Sequence, residues 1–136
     1  MIRHTVLVAA LAACVAAGCG QPPQGSLKEV QRTHAGALDV VLLSTAEALP
    51  QGKGFAVLEF RSSAGSLVNV GTVRVNATMP MAGMAPMIGG SEVTPTPAPG
   101  RYELATDLSM AGTWRFAVEW DGPAGKGSAL LAGTAH

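Results

Sequence analysis

The chain has 136 residues, equal numbers of basic and acidic side chains, and only 13% charged residues. That length suits one domain, and the absence of a basic stripe or a run of like charge argues against nucleic acid or a strongly charged surface as partner. Hydrophobic residues reach 48% with much alanine among them, while aromatics are 4%, so the expected core is thin and aliphatic, and marginal by buried area alone.

The first twenty residues read as an address. Arg3 supplies a positive start, and Thr5 to Ala17 (TVLVAALAACVAA) is almost wholly apolar. The run is shorter than the roughly 20 residues a transmembrane helix needs and fits the core of a secretory signal. Small residues precede both cysteines, in Leu11-Ala12-Ala13-Cys14 and Ala16-Ala17-Gly18-Cys19. Each resembles a lipobox, where signal peptidase II cuts ahead of a cysteine that then carries lipid. Cys19 is the preferred lipidation site, because it leaves the longer apolar run before it and a polar stretch after it. Cys14, with the better residue three positions upstream, is the alternative. The expected organisation is a lipoprotein signal peptide over residues 1–18, a lipid-tethered flexible linker over 19–35 and a folded domain over 36–136. Two acyl chains hold a protein stably at a membrane. The expected location is therefore the cell envelope, lipid-anchored and extracytoplasmic, on the periplasmic or outer-membrane side. No cysteine follows Cys19, so the folded part has no disulfide framework.

Residues 20–26 are rich in Pro, Gly, Gln and Ser, as linkers are. Leu27 to Thr33 offers one helical turn or a continuation of the tether. From there the chain reads as short strands between breakers. Ala37 to Ser44 comes first, with Leu38, Val40 and Leu42 on one face, followed by a turn at Pro50–Gly54. Phe55 to Ser62 is second, and Ser63–Ser66 turns the chain again. Val70 to Thr78 sets Val73, Val75 and Ala77 against Thr72, Arg74, Asn76 and Thr78. Met79 to Ala98 is rich in Pro, Gly and Met, with a short strand near Gly90 to Thr94. Arg101 to Leu108 alternates Tyr102, Leu104 and Leu108 with Arg101, Glu103 and Asp107. Thr113 to Trp120 alternates most clearly, with Trp114, Phe116, Val118 and Trp120 on one side. Asp121–Gly125 turns, and Ser128 to Thr134 closes the fold. Period two with frequent turns predicts an all-β, antiparallel sandwich of about seven strands. Without a disulfide, the two Trp and the Phe must carry much of the packing.

Catalytic material is sparse. His4 lies in the signal, His136 is the last residue and is expected to be mobile, and His34 stands alone in the body. No Ser-His-Asp or Cys-His set can be assembled. The acids Glu47, Glu59, Glu92, Glu103, Asp107, Glu119 and Asp121 are scattered and read as solvated surface. No phosphate-binding loop links a strand to a helix. The chain is therefore not expected to be an enzyme.

The methionines stand apart. Met79, Met81, Met84 and Met87 fall within nine residues, and Met110 precedes the Ala111-Gly112 turn; outside Met1 these are all the methionines. Gap-filling core methionines would be spread over several strands, whereas these sit where Pro and Gly oppose a regular strand. The thioether is a soft neutral donor suited to Cu(I). It needs no deprotonation and forms no disulfide. The alternatives differ by residue. Met79 continues the inward parity of Val73, Val75 and Ala77, and Met87 can pack beneath the loop. Met81 and Met84 flank the loop tip and are the better ligand candidates, and Met110 can face either way. A methionine-rich loop also suits protein docking without metal.

The run VNATMPMAGMAPM, then APGRYEL, then DLSMAGTWRFAVEW, resembles the YtkA-like domain, a pattern related to FixH-type proteins and to small domains accompanying heavy-metal efflux adaptors. The resemblance covers roughly residues 36–121. It implies an immunoglobulin-like sandwich outside the cytoplasm and a part in copper or heavy-metal handling. By position it assigns Met79, Met81, Met84 and Met87 to the family's Met-rich segment and Met110 to its Met-Ala-Gly turn. The chain departs from FixH-type proteins in having a lipobox rather than a membrane helix, and it lacks a His-rich tail suited to Cu(II). Two functions follow as expectations. One is a lipid-tethered domain that binds Cu(I) through Met79, Met81, Met84, Met87 and Met110 and serves a metal transporter or a cuproprotein. The other is an adaptor without metal that docks on an envelope transporter or assembly partner.

Overall fold

The computed structural model describes residues 26–136. The expected signal peptide, Cys14, Cys19 and the first part of the expected linker lie outside the described residues. Eight strands follow in chain order: β1 (Lys28–Ala35), β2 (Leu38–Ser44), β3 (Gly52–Ser62), β4 (Thr72–Met79), β5 (Met87–Pro95), β6 (Arg101–Leu108), β7 (Gly112–Gly122) and β8 (Gly125–Ala135). All paired strands are antiparallel, and their hydrogen-bonded order is β1-β2-β3-β6-β5-β4-β7-β8. The all-β sandwich expected from the alternating pattern is the fold.

One strand belongs to both layers. Met87, Ile88 and Gly89 of β5 pair with Met79, Thr78 and Ala77 of β4. From Gly90 to Pro95 the same strand pairs with Asp107 to Tyr102 of β6. The crossing occurs at a Gly-Gly step for a steric reason. A Cβ on Gly89 would stand 2.9 Å from Cζ3 of Trp114 and 3.2 Å from Cδ2 of Leu108, and one on Gly90 would stand 3.0 Å from Cβ of Asp107. Side chains at these positions would hold the two layers apart.

The core fills the space between the layers. Val40, Leu42, Leu58 and Phe60 from one side meet Val75, Phe116, Val118 and Leu131 from the other. Phe60 lies edge-on to Tyr102 (5.6 Å, 84°) and to Trp120 (5.2 Å, 69°), the arrangement that aromatic quadrupoles favour. Two of the three buried polar-tipped rings, Tyr102 and Trp114, satisfy their donors on loop carbonyls. Tyr102 Oη donates to the Gly71 carbonyl at 2.7 Å, and Trp114 Nε1 donates to the Met110 carbonyl at 3.0 Å. Burial pushes the Tyr102 hydroxyl above its ordinary pKa.

The fold starts earlier than expected. Lys28–Ala35, assigned from sequence to the linker or a helical turn, is strand β1 and pairs with β2 from Lys28↔Ser44 to Ala35↔Leu38. The domain boundary at residue 36 is corrected accordingly, and the strand count is eight rather than about seven. The strand is hard to read because it lies at the end of the sheet order with largely polar residues. Val30 and Ala35 pack on the core, while Glu29 and Arg32 form an exposed ion pair of 2.9 Å. The irregular stretch expected from Met79 to Ala98 is also shorter, because β5 begins at Met87.

The two ends of the strand order are brought together and capped. The Gln31 side-chain oxygen accepts from the Ala132 amide, and Leu49 N donates to the Thr134 carbonyl at 2.8 Å. His136, expected to be mobile, is held through its backbone: its N–H donates to Leu49 at 3.1 Å and its carbonyl accepts from Gln51 N at 2.9 Å. Such contacts use edge groups that would otherwise be open to pairing with another chain.

The crossing makes a stability prediction. Gly89→Ala should cost about 1–3 kcal/mol, because Trp114 and Leu108 are fully buried and have little room to retreat. Thermal unfolding by circular dichroism should show a Tm drop of several degrees. An unchanged Tm would mean that the step tolerates a side chain.

Candidate metal centre

Three turns gather at one end of the sandwich: residues 45–51 after β2, 80–86 after β4 and 109–111 after β6. The registers show it, since Leu43 pairs with Val57, Gly52 with Leu108, and Thr78 with Arg115. Every methionine after Met1 lies at this end.

Met79 and Met87 face each other across β4 and β5, as the last pair before the hairpin tip. Met79 is buried and belongs to the core, as its parity with Val73, Val75 and Ala77 foretold. Its Cε lies 3.0 Å from where a Cβ on Gly112 would be, so the thioether arm packs against the start of β7. Met87 is half-buried against the core, and its Sδ accepts from Ser109 Oγ at 3.1 Å. That contact joins the β4–β5 hairpin to the turn that carries Met110. Met110 is 42% exposed, while its carbonyl is held by the Trp114 indole.

The hairpin tip is a short turn. The Met84 amide donates to the Met81 carbonyl at 3.3 Å, and Gly83 at φ 71° supplies the left-handed residue within it. Met84 is 68% exposed and Met81 is partly exposed. Pro80 and Pro86 bracket the tip. The five candidates therefore divide into one core residue (Met79), one half-buried residue with a hydroxyl on its sulfur (Met87), and three turn residues open to solvent (Met81, Met84 and Met110).

Among the described residues no three His, Cys, Asp or Glu side chains are grouped to hold a metal ion. His34 lies at the other end of β1, its Nδ1 against Asp39 Oδ1, with its side chain 79% exposed. Asp39 also accepts from Arg32 at 2.9 Å. Desolvation works against the Asp39 anion, but the hydrogen bonds from Arg32 and His34 prevail and hold its carboxyl below the ordinary range. Hydrogen bonding to Arg32 likewise lowers Glu29. This is an ion-paired surface. Glu59, expected from sequence to be solvated, is instead buried, and its carboxylate is paired with Arg61 and Arg101. Two surface depressions, of about 530 and 470 Å³, lie along the sheets and contain no methionine.

Sequence reasoning missed two neighbours of the methionines. Ser109 contacts the Met87 sulfur directly. Gln51 binds the Ser109 carbonyl through Nε2 at 3.3 Å and the His136 carbonyl through its amide, which brings His136 to the methionine end. Neither contact has a local signal, since Gln51 and Ser109 are 58 positions apart.

The sequence model of the YtkA-like family matches residues 33–119, well over half of the chain. The chain belongs to the YtkA-like family. The match runs from within β1 to within β7 and so contains both methionine-bearing turns. YtkA-like domains are not a known enzyme family. No curated protein and no solved structure matches the chain.

The division among the methionines can be measured. Met79→Ala should cost about 2–5 kcal/mol, whereas Met84→Ala should change stability by no more than about 0.5 kcal/mol. Urea unfolding of both variants would report this. Equal, small effects would remove Met79 from the core.

Proposed function

We propose that this YtkA-like chain is a lipid-tethered, extracytoplasmic domain that binds Cu(I), or a similarly soft ion, through thioethers and passes it to a transporter or cuproprotein. The supporting observation is the gathering of all five methionines beyond Met1 at one end of the sandwich, Met81, Met84 and Met110 on turns and Met79 and Met87 at the adjoining strand ends, with Ser109 of the β6–β7 turn in contact with the Met87 sulfur. Met81, Met84 and Met110 are the ligands this reading favours, with Met87 as a further donor once its hydroxyl partner is displaced. Met79, buried in the core, is the least available of the five.

The donor chemistry fits the ion. Thioether sulfur is soft and uncharged, so it favours Cu(I) over hard divalent ions. It carries no proton to lose, so binding persists at mildly acid pH where thiolate sites fail. Ligands on a solvent-facing turn can be exchanged one at a time, which suits delivery more than storage. The scarcity of histidine, three in the chain, supports a role other than catalysis.

Docking on an envelope partner without metal is the second reading. It is favoured by the exposure of Ile88 (80%) and Met84 (68%), since apolar side chains clustered at one end mark contact surfaces.

Titration with Cu(I) against a competing chelator separates the two. The parent protein should bind stoichiometrically, and Met81→Leu with Met84→Leu should weaken binding at least tenfold while leaving the circular dichroism spectrum unchanged. Leu keeps bulk and apolarity but removes sulfur. No binding by the parent, or undiminished binding by the double variant, would exclude the thioether site.

A further inference from the structure

We infer that the methionine end of the sandwich rests on the membrane surface, with Met84, Ile88 and Met110 at the lipid interface; this builds on the lipid anchor proposed above. The first observation is where the fold begins. Lys28 opens β1 opposite Ser44, which leads into the 45–51 turn, and Lys28 Nζ lies 3.9 Å from Glu47 in that turn. The chain therefore enters the domain at the end that carries the methionines.

The second observation is length. Seven peptide steps separate Cys19 from Ser26, and in any conformation they reach no more than about 25 Å. Strand β1 has eight residues and spans about 25 Å. The end at Ala35 and Gly36 could touch the anchoring membrane only with the whole connection stretched back along the domain. The methionine end meets it without such extension.

The third observation is surface chemistry. From Met79 to Gly90 no residue is charged. Of the six large hydrophobic side chains exposed on the domain, Met84, Ile88 and Met110 lie at this end. Phe55, Leu67 and Leu130 lie on other strands or turns. An uncharged hairpin tip with exposed apolar side chains can enter the headgroup region without desolvating an ion, and it gains by removing apolar surface from water.

The test uses the lipidated protein reconstituted, with a metal chelator present, in vesicles of phosphatidylethanolamine and phosphatidylglycerol. Ala85→Cys at the methionine end and Ser63→Cys at the opposite end are each labelled with an environment-sensitive fluorophore and quenched by nitroxide-bearing lipid. The label at position 85 should be quenched at least twofold more than the label at 63. Ile88→Asp, at an exposed position that leaves the core intact, should reduce quenching at 85 about twofold. Equal quenching at the two sites, stronger quenching at 63, or no effect of Ile88→Asp would overturn the orientation. Vesicle flotation reports the anchor separately. It should be lost in Cys19→Ser, and a variant that still floats rules out Cys19 as the lipid carrier, removes the limit on reach and overturns the orientation with it.

Discussion

Both methionine-bearing turns depend on the indole of Trp114. Its ring occupies the space beside Gly89 where β5 passes from one layer to the other, so the crossing requires glycine there. Its Nε1 holds the Met110 carbonyl and thereby shapes the turn between β6 and β7. The ring is fully buried, and a buried indole N–H left without an acceptor would carry a desolvation penalty. The β6–β7 turn is thus fixed by the same residue that sets the course of β5. Replacing Trp114 would disturb the core, the crossing and the Met110 backbone together, so such a variant could not isolate any one of them.

The parts of the fold that were legible in sequence are those where one face meets the core and the other meets water. β7 is the clearest case: Trp114, Phe116, Val118 and Trp120 are buried while Arg115, Ala117 and Glu119 are exposed. β1 was illegible because its inward face is only partly buried and includes the polar Gln31 and Thr33, while its Glu, Arg and His residues are exposed and resemble a tether. β5 was half legible. A short strand was expected only from near Gly90 to Thr94, yet β5 begins at Met87, and glycine at 89 and 90 permits it to continue through a layer change. Period alone does not distinguish a glycine that ends a strand from one that lets it cross.

The candidate site was legible to a similar degree. The concentration of methionine is a property of the sequence, and the inward parity of Met79 could be read from Val73, Val75 and Ala77. The contact of Ser109 with the Met87 sulfur could not be read, nor the Gln51 side chain that links the β2–β3 and β6–β7 turns. These are long-range contacts made by polar residues at loop positions, set by the register of strands that the loops only connect. His136 shows the same effect. Its backbone is tied to Leu49 and Gln51 because β8 runs on to that end.

On the thioether reading, the division of labour among the methionines follows from packing. A buried sulfur such as that of Met79 has its surroundings filled by carbon, and turning it toward an ion would open a void in the core. Exposed sulfurs on a turn carry no such penalty, but ordering them costs side-chain entropy, which is large for methionine. The hairpin lowers that cost through its backbone. Pro80 and Pro86 restrict φ on either side of the tip, and the Met81–Met84 hydrogen bond closes the turn before any ligand arrives. Only side-chain rotamers then remain to be fixed. A tip with a prearranged backbone and mobile thioethers can release an ion by letting one side chain go at a time, without unfolding any strand.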